Sequence, residues 1–399
     1  MTIPTLFGTG GHSASGQVYD SATYYSNVGL GRCAMNLGAV TSESNASRPI
    51  RAAGSMSHLS WGVAENGFCA DLTLALRKGL SATAMSVSIS SSTTGWFTDS
   101  VHSISVSSGD VLAYSTHLST TCTYTGSFYC VSMRFDASSG SAQMLTTFGP
   151  ASIAPETTRK FVNFQGVLDS GTGTEANHQF YCLADGTWKN LACYFEDNTF
   201  NRPSVVTNRI NGANGSMAIS IPSAMDATSG YYEDTSDSDS VEAGDLLDYG
   251  IIGAPLAGSG SITMDWIGAH FVADDPNLCM IGGSQGGGVF LSGNDPFYSS
   301  LFGGGKAAST SPRATGILSY DVTASKYTNF LTGGSGEATF TLLVDGSSSA
   351  LTASATSSGY WTDNSHTVQI DAGHNCANQI EITTDNVIWA SGALLLEVR

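Results

Sequence analysis

One short stretch of the sequence has the residue types of a nucleophilic site. Residues 282–286 read Gly-Gly-Ser-Gln-Gly, which matches the Gly-x-Ser-x-Gly string of serine hydrolases. The serine of that string needs a strand before it and a helix after it, and the glycine-rich run Gly286–Phe290 cannot begin a good helix. We therefore interpret this stretch as a glycine-rich link between domains.

An acidic stretch has the residue types of a calcium site. Its carboxylates are Asp234, Asp237, Asp239, Glu242, Asp245 and Asp248. They lack the ligand order and the central glycine of an EF-hand, so we interpret the stretch as a solvated acidic loop. No feature selects a carboxylate pair for glycoside hydrolysis, and the eight histidines are scattered. We predict no catalytic residue, no metal and no cofactor.

The eight cysteines can form disulfides or fill the core. None are spaced as Cys-x-x-Cys, which argues against structural zinc. Cys122 and Cys130 flank the turn sequence Thr-Tyr-Thr-Gly-Ser, and Cys182 and Cys193 flank a segment with Asp185-Gly186. Equal distances from a turn centre would place two Cβ atoms opposite each other, as a disulfide requires. These two pairs are candidate disulfides; the alternative is that each cysteine is a small apolar core residue.

Composition excludes several classes of partner. The 399 residues include 33 Asp and Glu against 15 Lys and Arg, which gives a net charge of -18. This acidic surplus argues against binding to nucleic acids and to anionic membrane surfaces. No apolar run approaches the ~20 residues of a membrane span, and residues 1–6 do not resemble a secretory signal. The length suggests two to four domains.

One motif occurs three times along the chain. Gly-aromatic-aromatic-x-Asp begins at residues 95, 230 and 359, and another glycine follows ten residues after each aspartate. The nine repeated residues are Gly95, Asp99, Gly109, Gly230, Asp234, Gly244, Gly359, Asp363 and Gly373. We interpret the motif as structural: the first glycine permits a tight turn, an aromatic ring enters the core, and the aspartate caps backbone N–H groups.

Turns and alternating segments repeat in phase with the motif. The turns at 77–79, 211–212 and 345–346 each precede a segment with period-two alternation, which is typical of a half-buried strand. Several short strands per ~130 residues indicate an all-β chain of three tandem β-sandwich domains of jelly-roll or Greek-key type. We place these domains at 1–155, 156–292 and 293–399, with the boundaries in links rich in glycine and proline, such as residues 149–150 and 286–288.

The pattern from Asn211-Gly212 to Gly244-Asp245 resembles a β-sandwich repeat of structural proteins in tailed bacteriophages. In that family an Asn-Gly or Asp-Gly hairpin precedes an alternating strand, a Gly-x-x-x-Asp turn and a Val-x-x-Gly-Asp step. His374 replaces the aspartate after Gly373, so we expect a rearranged turn in the third copy. The resemblance covers most of the chain and implies a non-enzymatic virion surface protein: a capsid decoration protein, a head fibre, or a tail or collar fibre.

Two classes of function follow. The first is a structural protein on the surface of a bacteriophage virion, made in the host cytoplasm and later extracellular. Its partners would be other virion proteins and its own copies, with a trimer as first expectation, because open edge strands with few charges need covering. The second is a carbohydrate-binding adhesin or receptor-binding tail protein, in which Trp96, Tyr231 and Trp361 stack on a host glycan if they are exposed. A depolymerase is a third, weaker option.

Overall fold

A computed structural model describes most of the chain. The described residues are 4–9, 12–19, 23–27, 43, 47–138, 143–153, 159–164, 166–167, 174–200, 202–223, 229–253, 261–292, 296–299, 301 and 316–399. These ranges consist mainly of β-strands, with a short 3₁₀ turn at Glu175–Asn177. The all-β prediction is confirmed.

The first domain contains strands β1 to β10. Their bounds are β1 Pro4–Thr9, β2 His12–Tyr19, β3 Thr23–Asn27, β4 Arg48–Pro49, β5 Gly54–Asn66, β6 Leu72–Lys78, β7 Ser81–Ile89, β8 Gly95–Val106, β9 Val111–Leu118 and β10 Cys122–Ala137. One sheet has the order β1-β10-β5-β8, with β2 also on β10, and the other has the order β3-β9-β6-β7, with β4 also on β9.

The second domain contains strands β11 to β20. Their bounds are β11 Gln143–Ile153, β12 Lys160–Asn163, β13 Gly166–Val167, β14 Phe180–Tyr181, β15 Gly186–Asn198, β16 Ser204–Ile210, β17 Ala213–Ile221, β18 Gly230–Val241, β19 Leu246–Ile252 and β20 Ile262–Ala273. The sheets are β13-β11-β20-β15-β18 and β12-β19-β16-β17, with β14 also on β19.

The third domain contains strands β21 to β30. Their bounds are β21 Leu278–Ser292, β22 Phe297–Ser299, β23 Gly316–Ile317, β24 Val322–Gly334, β25 Glu337–Val344, β26 Ser347–Ala355, β27 Gly359–Asp363, β28 Val368–Ile370, β29 Asn375–Thr384 and β30 Asn386–Val398. The sheets are β21-β30-β24-β27, with β28 also on β24, and β22-β29-β25-β26, with β23 also on β29.

The eight main strands follow the same topology in every domain. If they are numbered from 1 to 8 in chain order, each domain has one sheet of order 1-8-3-6 and one of order 2-7-4-5. The first and last strands are neighbours, and the chain passes repeatedly between the two sheets. This is the topology of a jelly roll.

Strand pairing places the domain boundaries earlier than the sequence predicted. β11 pairs with β20 of the second domain, and β21 pairs with β30 of the third, so the boundaries lie near 139–142 and 274–277 instead of 155 and 292. Residues 149–150 and 286–288, which we took as links, lie within β11 and β21, where the strand register shifts. Glycine and proline are tolerated at such irregular positions of outer strands, so they do not mark a linker here.

Each domain has its own hydrophobic core between its two sheets. Trp61, Trp188 and Trp389 are among the largest fully buried side chains, one in each domain. The hairpin strands β7, β17 and β26 share one burial pattern, with every second residue buried along the last five positions. The period-two alternation of the sequence therefore marks a real inner face in all three copies.

Candidate functional site

The three repeated aspartates connect the two sheets of their own domains. Asp99, Asp234 and Asp363 are buried and lie on the outer strands β8, β18 and β27. Each carboxylate accepts a 3.0 Å hydrogen bond from a backbone N–H of the facing outer strand. The donors are Ser86 in β7, Ala218 in β17 and Thr352 in β26. The aspartate therefore closes one side of each sandwich by satisfying an edge-strand donor.

The same carboxylates also bind the backbone that follows each aspartate along the chain. Each accepts backbone hydrogen bonds of 2.9–3.2 Å from the residues two and three positions later. Burial by itself would raise the pKa of each carboxyl, but these N–H donors outweigh it, and the pKa of Asp99, Asp234 and Asp363 is lowered. The aspartates are thus ionised at neutral pH and are occupied with backbone hydrogen bonds.

The turn after the motif has the same backbone in all three domains. Gly109, Gly244 and Gly373 have φ values of +92°, +105° and +91°, in the left-handed region that favours glycine. Their N–H groups donate to the carbonyls of Ile50, Cys182 and Leu318, respectively, at 2.7–2.8 Å. The rearranged turn that we expected in the third copy is therefore not found.

The third copy differs in side-chain contacts only. His374 contacts the Asp345 carboxylate of the neighbouring hairpin through Nδ1. In the second copy, Asn211 of the hairpin donates to Asp245 at 2.7 Å. In the third copy the carboxylate belongs to the hairpin, and in the second copy it belongs to the turn. Both copies therefore have a side-chain contact between the hairpin and the turn.

The backbone does not place either predicted cysteine pair across a hairpin. Cys122 and Cys130 lie in the single strand β10, where eight residues span roughly 25 Å, far beyond the Cα–Cα reach of a disulfide. Cys182 and Cys193 are free, buried thiols. The chain passes from one sheet to the other between them, since β14 pairs with β19 and β15 pairs with β18 and β20. A turn sequence therefore did not mean a hairpin at either place.

The two stretches with catalytic or metal-binding residue types do not form such sites. Residues 282–286 lie within strand β21, paired with β30, and no helix follows Ser284 directly. In the acidic stretch, Asp239 accepts hydrogen bonds from Ser216 and Asn208, at 2.8–2.9 Å. Asp234 and Asp245 are engaged as described above. Across the described ranges, no group of three His, Cys, Asp or Glu side chains is placed to hold a metal ion.

A shallow groove lies on the side of the third domain that Asp363 closes. It has a volume of about 480 Å³ and lies between β26 and the turn after β27. Its polar side chains include Thr352, Ser354, Thr362, Ser365 and His366, and its aromatic side chain is Trp361. The Trp361 ring packs against the core, and its Nε1 donates to the Ser357 carbonyl at 3.0 Å. The indole is therefore held in place while part of it remains exposed.

His366 is oriented by the repeated aspartate. Its Nδ1 lies 2.9 Å from Asp363 Oδ2, and its side chain is 55% exposed. Because Nδ1 faces the carboxylate, Nε2 is the ring nitrogen that a ligand can reach. His102 makes the same contact with Asp99 in the first domain, at 3.0 Å.

The three aromatic residues considered for sugar stacking have different surroundings. Trp96 is partly buried. Tyr231 is 37% exposed, but its hydroxyl donates to Glu233 and receives a hydrogen bond from Arg51 of the first domain. Trp361 alone among these three lines the groove described above.

A buried charge cluster in the second domain was not predicted from the sequence. Arg209 donates from Nε and Nη2 to the two oxygens of Glu175, at 2.5 and 3.0 Å. Asp248 is fully buried beside them. Desolvation, together with the negative charge of Glu175, raises the pKa of Asp248 to about 9. The 3.9 Å contact with Arg209 Nε does not offset this, because that guanidinium is already bonded to Glu175.

The first domain contains an equivalent ion pair. Arg77 Nε donates to Glu43 at 2.5 Å, and Glu43 and Arg77 are separated by the same 34 residues as Glu175 and Arg209. This equal spacing is the signal that could have revealed the pair in the sequence. No such signal exists for Asp248. It pairs with Arg209 across the sheet, whereas the residue that pairs with Arg77 in the first domain is Ala113.

Comparisons with known proteins do not identify a family. No family model and no curated protein matches the chain. A chain from the structure of infectious bursal disease virus, Gx strain, is 7% identical, with a TM-score of 0.21, over 100% of this chain and 81% of that one. The arabinofuranosyltransferase AftD from Mycobacteria is 8% identical, with a TM-score of 0.16, over 98% of this chain and 36% of that one.

No helix in the described ranges is both long and apolar enough to span a membrane.

Proposed function

We propose that this chain is a non-catalytic structural protein displayed on the surface of a bacteriophage virion, as a capsid decoration protein or a head, neck or tail fibre. The observation that carries the proposal is that the residues repeated in all three domains stabilise the fold. Asp99, Asp234 and Asp363 close three sandwiches in one way, through backbone hydrogen bonds. What the three copies share is therefore architecture, as in a structural protein.

The topology supports this proposal by analogy. Jelly rolls are common in viral capsid proteins and in lectins. The acidic surface supports it as well, because a net charge of -18 per chain would keep crowded copies apart by repulsion. In this proposal the partners are other virion proteins, and the chain is made in the host cytoplasm and leaves the cell on the particle.

Electron microscopy of purified particles with a gold-labelled antibody against the chain tests the proposal. We expect label at one position: head, neck or tail. Particles without label, from cells that produce the chain, would contradict a virion location. The non-catalytic part has its own test, because purified chain should release no reducing ends from host surface polysaccharide. Release of sugar would indicate a depolymerase.

The groove beside Trp361 favours a second candidate function, binding of a host glycan. An aromatic ring held at the surface can stack on a sugar ring, and hydroxyl and imidazole groups next to it can bond sugar hydroxyls. The groove volume of about 480 Å³ lies in the range of small-ligand sites. On this proposal, Trp361 supplies the stacking surface and His366 supplies a polar contact.

Substitution of Trp361 tests glycan binding. We would measure binding of the chain to an immobilised panel of glucose, galactose and N-acetylglucosamine oligosaccharides. Trp361→Ala should weaken binding about five-fold to ten-fold, because loss of an aromatic contact costs about 1–1.4 kcal/mol. Phe97→Ala is the matched control, since Phe97 holds the equivalent position in the first domain. Equal binding by both variants, or no binding by the parent chain, would contradict the candidate function.

A further inference from the structure

The first and second domains meet at Arg51, which lies beside the Gly109 turn. Arg51 comes directly after Ile50, whose carbonyl accepts the N–H of Gly109. Its guanidinium bonds to the Tyr231 hydroxyl, lies 2.5 Å from Glu233, and stands over the Tyr231 ring at 5.6 Å. Arg51 is buried by these contacts with the second domain. The junction is thus an ordered interface.

The second and third domains meet at the equivalent residue, Leu183. Its carbonyl accepts a 3.0 Å hydrogen bond from Lys326 Nζ, and its N–H donates to Met280 Sδ at 3.2 Å. Tyr360 packs on Tyr181 with a ring separation of 5.3 Å. Met280 belongs to the core cluster of the second domain, so the two domains share buried apolar surface.

These two junctions use the same repeat positions. Tyr231 and Tyr360 both follow the first glycine of the motif. Arg51 and Leu183 each come directly after a residue whose carbonyl accepts a hydrogen bond from the N–H of the last glycine of the motif. Each of these two domains therefore contacts the preceding one through the same repeat positions.

A third junction joins the two ends of the chain. Strand β10 of the first domain lies against β23 of the third. Tyr320, two residues after Leu318, is buried there, and the charges of Arg134 and Asp136 from β10 act on its hydroxyl. Leu318 is the counterpart of Ile50 in the third domain, so this segment corresponds to the one that contains Arg51.

At each junction, the last strand of one domain approaches this segment of another domain, and it does so at the same register position. Arg134, His270 and Leu395 each pair with the residue before a bulge. The bulge residues all have positive φ, and they are His58, Asn190 and Lys326. The charge of Arg51 acts on His270, Leu395 belongs to the cluster that contains Leu183, and Arg134 acts on Tyr320. The three junctions therefore involve corresponding segments of the domains, and the third joins the two ends of the chain.

We propose that the chain is a closed ring of three jelly rolls with pseudo-three-fold symmetry. We further propose that a single copy of the chain binds at a three-fold-symmetric site of another virion protein, a position that a homotrimer could also occupy. Three equivalent junctions within one chain leave equivalent surfaces repeated around one axis, and such surfaces match a partner with the same symmetry. This partner assignment rests on the proposed virion function. The proposed ring does not depend on that function.

Solution scattering and mass measurement on the purified chain test the ring. We expect the mass of one chain, 41.3 kDa, by light scattering. We also expect a radius of gyration of about 22 Å, as for a compact protein of this length, whereas a linear string of three domains would give roughly 30 Å or more. A trimer of chains, or a monomer with the larger radius, would overturn the proposal.

A charge reversal separates closure of the ring from folding of its domains. Arg134→Glu replaces the 2.9 Å ion pair between Arg134 and Asp136 with two acids at the third junction. It should raise the radius of gyration, with far-ultraviolet circular dichroism unchanged. Arg202→Glu is the matched control, because Arg202 is an exposed arginine of the second domain. An unchanged radius in Arg134→Glu would contradict closure through this junction.

On particles, the number of chains per three-fold site tests the partner assignment. One chain per site, counted by quantitative mass spectrometry and located by electron microscopy, is the expected result. Three chains per site would refute the assignment. Absence of the chain from particles would refute the virion function and leave the solution result for the ring intact.

Discussion

At the residue scale, the repeated aspartate combines burial with ionisation. Asp363 is buried, yet its pKa is lowered, because backbone N–H groups from β26 and from the following turn surround the carboxylate. A buried charge is tolerated only where hydrogen bonds replace water. The same arrangement at Asp99 and Asp234 makes it a repeated device for closing the sandwich.

Replacement of Asp363 by asparagine should open this closure. Asp363→Asn keeps the shape but loses the charge and part of the acceptor capacity, so we expect a loss of about 1–3 kcal/mol in local stability. Hydrogen exchange of the Thr352 and Ser365 amides should speed up, while that of the Ala218 amide in the second domain serves as an internal control. Unchanged exchange at Thr352 would contradict the role of the carboxylate.

The lowered pKa values also predict an acid limit to stability. A carboxyl whose pKa is lower in the folded state stabilises the fold fully above its unfolded pKa of about 4. This contribution is lost as the pH falls further towards the folded values. The three aspartates Asp99, Asp234 and Asp363 should therefore make all three domains less stable below about pH 4.

The raised pKa of Asp248 predicts the opposite dependence of stability on pH. Its folded pKa of about 9 lies above the unfolded value, so it binds a proton on folding, and stability falls as the pH rises above about 4. Asp248→Asn mimics the neutral acid and should stabilise the second domain by about 1–3 kcal/mol at pH 8, with little difference at pH 4. Thermal unfolding at both pH values measures this. The exposed control Asp197→Asn should have no effect, and a destabilising Asp248→Asn would show that the carboxylate is ionised.

At the element scale, the three equivalent hairpins differ in their turn residues. Asn211-Gly212 and Asp345-Gly346 have positive φ at both positions, which is the type I′ geometry that suits a two-residue hairpin. The first domain has Gly79-Leu80 at this place, and Leu80 has a φ of 64° although it is not glycine. Its side chain is 56% exposed, so little packing repays the strain.

Leu80→Gly should therefore stabilise the first domain. A residue with a Cβ in the left-handed region costs roughly 1–2 kcal/mol, and we expect about 1 kcal/mol of this to be recovered. Chemical denaturation of the first domain measures the gain. Leu80→Ala is the control, because it shortens the side chain but keeps the Cβ. An equal gain in both variants would indicate that side-chain exposure, and not the turn, is responsible.

At the scale of the whole molecule, the strand pairing moves the joints between domains. Limited proteolysis should cut first near 139–142 and 274–277, because these segments connect separate cores. Residues 150–157 and 286–292 include the ends of paired strands, β11 and β21, and β21 in particular should resist cleavage. Peptide mapping of the first products decides between the two sets of positions. A first cut inside β21 would contradict the assignment of this strand to the third domain.

The sequence by itself determined the features that depend on neighbouring residues. The period-two alternation of residues 217–221 predicted strand β17, and Asn211-Gly212 predicted its hairpin turn. The spacing of Asp99, Asp234 and Asp363 predicted three copies of one unit. These features are local, because side chains alternate along one strand and the turn residues themselves favour the backbone angles of the turn.

The tertiary structure alone decided the features that depend on distant partners. The sequence of β21 does not reveal that it pairs with β30 more than one hundred residues later, so the glycines within it resembled a linker. Cys182 and Cys193 flank a crossing between sheets, which their spacing could not distinguish from a hairpin. The burial of Asp248 and the junction at Tyr320 likewise arise only when separate segments pack together, because desolvation depends on everything that surrounds a group.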